Sequence, residues 1–121
     1  MIIAIINAQI FDGQNVIDER SIVIEGNQIR NVGGDLPEGA AIIDAKDGTL
    51  MPGLIDSHVH TDMDGLRDAL QFGITTELEM NGRRSRRQRK NIAERADIAD
   101  LRSPGMGISP KGGHPMDLYC I

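Results

Sequence analysis

The chain has no tryptophan, a single tyrosine (Tyr119) and two phenylalanines, Phe11 and Phe72. So few aromatic faces leave no base-stacking platform for single-stranded nucleic acid. Any core must be assembled from Ile, Leu, Val, Met and Ala. A single cysteine, Cys120, cannot close an internal disulfide, so nothing indicates an oxidising compartment. No apolar run approaches the roughly 18 residues that span a bilayer. The opening Met1-Ile-Ile-Ala-Ile-Ile6 has no basic leader or small-residue cleavage site, and polar Asn7 and Gln9 follow at once. It reads as a strand and not as a signal peptide, which makes the cytoplasm the expected location. Excess positive charge is also missing. A formal net charge of −5 and a pI near 5.0 argue against general polyanion binding, so neither nucleic acid nor membrane is an expected partner.

What is present begins with β-branched residues. Ile2 to Phe11 reads as a strand ended by the tight-turn pair Asp12-Gly13. Ser21–Glu25 and Gln28–Val32 flank Gly26-Asn27 as a hairpin. Gly33-Gly34 and Pro37-Glu-Gly39 mark a loop, Ala41–Asp44 a further short strand and Asp47-Gly48 a turn. Four short strands over about 45 residues would be marginal alone.

Past residue 50 the pattern alternates. Leu66, Ala69 and Leu70 give Asp62–Gln71 a helical face, stopped at Phe72-Gly73. Ile74–Leu78 reads as a strand and Ser85–Ala96 as a polar helix with Ile92, Ala93 and Ala96 inward. Ile98–Arg102 is a last strand before Ser103-Pro-Gly105. Strand, helix, strand, helix, strand is the alternation of a parallel sheet, so the fold class is α/β.

The chemistry concentrates in Met51-Pro-Gly-Leu-Ile-Asp-Ser-His-Val-His60. Alternate residues of a strand face one side, so His58 and His60 project together, with Leu54 and Asp56 in their row. Two imidazoles so placed can grip one divalent cation through neutral ring nitrogens. Asp56 has two readings: it orients an imidazole N–H, or it bonds to backbone near the strand end. Asp62 and Asp64 are ligands or, more in keeping with the adjoining helix, its N-terminal cap.

Pro-Gly-Leu-Ile-Asp-x-His-x-His resembles the first barrel strand of the amidohydrolase superfamily, metal-dependent hydrolases built on a (β/α)8 barrel. The resemblance runs from the N-terminus to about Pro115. It implies a β-sandwich remnant over residues 1–50, then the first βα units of a truncated barrel over 51–121. About 250 residues make a whole barrel, so only the front portion of such an enzyme fits in 121 residues.

The resemblance further implies a divalent cation, zinc first, with His58 and His60 as two of its ligands. The family's remaining ligands (a lysine or acidic residue, two more histidines and a water-activating aspartate) belong to later strands. The parent reaction would be attack of metal-activated water on the C–N bond of an amide or cyclic amide of a small-molecule substrate. This segment alone is expected to be inactive. His114, in Gly112-Gly113-His114, resembles a loop of the imidazolonepropionase-like and prolidase-like members, where it would line the substrate pocket. Lys111 sits in a Gly/Pro loop and does not qualify as a bridging lysine.

Arg83–Lys90, with six basic residues in eight, departs from the family pattern. It is either a patch for an anionic partner or a solvated outer helix, with Glu94, Asp97 and Asp100 nearby to compensate it. The rival to an enzyme segment is a non-catalytic interaction module that self-associates or uses this basic helix. Open sheet edges make self-association the expectation under both readings.

Overall fold

A computed structural model describes residues 1–108 together with Pro110, Lys111 and Gly113. His114 lies outside the described residues. The fold is mixed α/β with strands dominating: nine strands and two helices among the described residues. The chain divides into two compact units, Met1–Pro52 and the part from Gly53 onward.

In the first unit β1 (Ile2–Ile6), β3 (Ile22–Glu25), β4 (Gln28–Val32) and β5 (Ala41–Asp44) form a sheet of order β4-β3-β1-β5. β1 runs antiparallel to β3 and parallel to β5, with Ile3 opposite Ile24 on one side and Ala41 on the other. β3 and β4 close as a hairpin around Gly26, whose φ of +63° suits a residue without a side chain.

The single strand expected over Ile2–Phe11 is broken. Asn7 takes φ +54°, a left-handed conformation that asparagine tolerates, and its Nδ2 donates to Asp44 Oδ1 at 3.1 Å. The chain thereby leaves the first sheet, and β2 (Gln9–Ile10) pairs in parallel with β6 (Thr49–Leu50). The Lys46 backbone N–H and the Asn7 amide hold the Asp44 carboxyl below the usual range. As the composition requires, the core is aliphatic: Ala8, Ile10 and Ile22 are buried, with Ile5, Ile17, Ile24 and Leu50 packed around them.

The second unit is one parallel sheet of order β7-β8-β9: β7 (Leu54–Val59), β8 (Ile74–Glu79) and β9 (Asp100–Arg102). Helix α1 (Met63–Gln71) links the first two strands and α2 (Arg86–Ala93) the last two. Asp62 caps α1 by accepting from the N–H groups of Asp64 and Gly65 at 3.1 and 2.8 Å. Ser85 and Gln88 form a reciprocal capping box on α2.

α2 ends at Ala93, short of the expected Ala96. Beyond it the Arg95 guanidinium turns onto Asp97, which holds that carboxyl below its ordinary range, and Ile98 and Ala99 are already buried ahead of β9. Leu66, Ala69, Ile92, Ile98, Ala99 and Leu101 make up the core of this unit. Among the described residues no helix is long and apolar enough to cross a membrane.

Candidate metal centre

β7 is an edge strand, hydrogen-bonded to β8 alone, and it carries His58; His60 lies just past its last residue, Val59. The two imidazole centroids are 6.0 Å apart, edge to face at 84°. Both rings are exposed. Two imidazoles sharing a cation at N–metal distances of ~2.0–2.1 Å hold their centroids about 5–6 Å apart, so the pair fits one ion with small rotamer adjustments. Among the described residues, no three His, Cys, Asp or Glu side chains converge on one point. The geometry is that of half a ligand set.

Asp56 does not meet an imidazole. Its Oδ1 accepts the backbone N–H of His58 at 3.1 Å. The register explains why simple alternation misplaces it. Asp56 stands opposite Glu77 and Val59 opposite Glu79, three residues on β7 against two on β8. The extra residue is a bulge, and a bulge interrupts the row that alternation would give Asp56 and the histidines in common. Asp62 serves α1 as its cap, and Asp64 Oδ1 accepts from Arg67 Nη1 at 2.6 Å.

A charged cluster that the sequence pattern does not single out lies next to this strand end. Glu77 and Glu79, two apart on β8, are 4% and 3% exposed, and Oε2 of each has no hydrogen-bond partner among the described residues. The Arg84 guanidinium meets Glu79 through Nη1 and donates to the Thr61 carbonyl through Nη2 at 2.8 Å. An open cleft of about 810 Å³ is lined by His60, Thr61, Glu77, Glu79 and Arg84, among others.

The basic run is therefore not wholly a solvated face. Arg84 turns inward, Arg89 Nη1 donates to the Arg84 carbonyl at 2.8 Å, and Lys90 sits 3.7 Å from Glu94. The sequence does carry one signal of this. Two glutamates at strand spacing beside apolar residues call for a cation, a hydrogen-bond donor or a proton if they face inward, and the next basic residues are in this run.

No protein-family model matches the chain. Among curated proteins it is 36% identical over 105 residues to a dihydroorotase of Elusimicrobium minutum, which covers 76% of the chain and 24% of that protein. It is 44% identical over 45 residues to a dihydroorotase of Mycobacterium leprae, covering 36% of the chain and 10% of that protein. Among solved structures, an amidohydrolase superposes with a TM-score of 0.81 at 24% identity, covering 94% of the chain and 34% of its own. A prolidase solved with N-methylphosphonate-L-proline superposes with a TM-score of 0.77 at 24% identity and the same coverage.

A small β-unit followed by a parallel βαβαβ unit, with paired histidines where its first strand ends, defines the class. Sequence relatives and structural neighbours together place the chain in the amidohydrolase superfamily. The chain spans a quarter or less of the curated relatives it matches and about a third of the solved chains.

Proposed function

We propose that this chain is a segment of a cytoplasmic metal-dependent amidohydrolase, a (β/α)8-barrel enzyme that hydrolyses the C–N bond of an amide or cyclic amide. The observation that carries the reading is the His58–His60 pair, 6.0 Å apart at the end of β7, the strand end at which parallel barrels place their chemistry. The resemblance to two dihydroorotases supports a cyclic amide as substrate class. His58 and His60 would hold a divalent cation of the zinc class as neutral imidazoles. When bound, that ion supplies Lewis-acid polarisation of the carbonyl and a water acidified towards a pKa of about 7. Asp56, bonded to the His58 amide, fixes the strand backbone that leads into the first ligand. His114 is the proposed contact to substrate.

A catalytic zinc normally has three protein ligands. The described residues bring together two, so binding is expected to be weak and turnover of cyclic amides absent in this chain alone. Calorimetric titration with Zn²⁺ at neutral pH checks the ligands. His58→Ala and His60→Ala should each lose most of the heat, and a double variant that binds as the parent does would refute the assignment.

Self-association is part of the proposal. Within the second unit β7 and β9 are both sheet edges, and Leu54, Ile55 and Phe72 are 48%, 63% and 81% exposed. Unpaired edges beside exposed apolar groups favour pairing between copies. Sedimentation at micromolar concentration should reveal dimers or larger species; a homogeneous monomer would contradict this.

A further inference from the structure

His60 lies past Val59, the last residue of β7, so the strand ladder by itself does not hold His60 or Thr61. Two bonds from residues that follow β8 bracket His60. Ahead of it, the Met80 N–H donates to the Val59 carbonyl at 2.9 Å. Behind it, Arg84 Nη2 donates to the Thr61 carbonyl at 2.8 Å while Nη1 meets the buried Glu79 carboxylate. The guanidinium is itself anchored. Its side chain is only 17% exposed, and Arg89 bonds the Arg84 carbonyl. Gly82 leaves room for the acid, since a Cβ there would lie 1.8 Å from Glu79 Oε2. A planar fork that serves a carboxylate and a carbonyl together is a geometry arginine offers and lysine does not.

From this clamp we infer that Arg84 is a positioning residue for the metal half-site. It fixes the His60–Thr61 backbone and so keeps the two imidazoles at the spacing one cation needs. Ligands ordered on folding bind more tightly than ligands ordered by the ion, because less freedom is lost on binding. This role rests on the reading of His58 and His60 as metal ligands. It gives the basic run a task on the inner side of its loop.

The test uses the full chain and Co²⁺, read by visible absorption and by calorimetry. Arg84→Lys retains a positive charge opposite Glu79 but cannot span both partners. Its thermal transition should stay close to the parent's, while its Co²⁺ affinity falls by about tenfold or more, the range typical of residues that orient metal ligands. Exchange of the Met80 amide, which bonds the Val59 carbonyl beside His60, should quicken in the metal-free form of the same variant, which a mere loss of surface charge would not cause. Parent-like affinity in Arg84→Lys, with loss in His60→Ala, overturns the inference and leaves the metal reading intact. Equal affinity of the parent and His60→Ala overturns the metal reading and the inference with it.

Discussion

Arg84→Met is expected to cost about 3–5 kcal/mol of stability, the usual result of removing one partner from a buried ion pair. Glu79 would keep its position, 3% exposed, with no guanidinium on Oε1 and with Oε2 already unpartnered. Such a carboxylate must then be protonated or drag its strand end towards water. Against total stabilities of roughly 5–15 kcal/mol, the loss removes a large share of the total. Urea denaturation of parent and variant measures it through the shift in midpoint. Adding Glu79→Leu to Arg84→Met should recover most of the loss, because the stranded charge is then gone. A variant as stable as the parent would show that the pair is not formed in solution.

Leu66→Ala should cost about 2–5 kcal/mol, the range for truncating a buried leucine. Leu66 is fully buried among Ala69, Ile92, Ile98, Ala99 and Leu101. These neighbours are small or branched side chains held by two helices, β9 and the segment leading into it, so they cannot flow into the gap. The Leu66 carbonyl also accepts the Ala99 N–H at 2.9 Å, so a shift of α1 would disturb the approach to β9. Phe72→Ala is the control. At 81% exposure its truncation should stay within about 0.5 kcal/mol. Thermal melts of the two variants under one condition give the comparison, and equal shifts would place the core elsewhere.

Much of this fold is legible in short stretches of sequence. Asp62 ahead of an apolar face, Ser85 three residues before Gln88, and Gly26-Asn27 between β-branched runs each act within a few residues. The histidine pair is legible for the same reason, since i and i+2 share a face over so short a span. What escapes the sequence depends on partners far along the chain. The break at Asn7 is fixed by Asp44, and β6 exists only because Gln9 and Ile10 lie beside it. Alternation assigns Asp56 to the histidine row, and the bulge against β8 is invisible in β7's own residues. Arg84 is one of six similar charges in a run until the fold brings Glu79 and Thr61 to it.

The mixed pairing of β1 has a consequence in time. Its antiparallel neighbour β3 arrives already joined to β4 through the Gly26 turn, and such hairpins close in about 1–10 μs. Its parallel neighbour β5 joins with Ile3 against Ala41, only after the whole hairpin and the loop beyond it have been gathered in. Closing that loop loses entropy before any ladder bond is gained. β5 is therefore expected to dock on this sheet after the hairpin and to open before β1 and β3 separate. Half-exposed Ile42 and Ile43 give it little apolar hold once it loosens. Its amides should exchange through opening of that strand alone, well before the β1–β3 amides, which wait for the sheet itself to come apart.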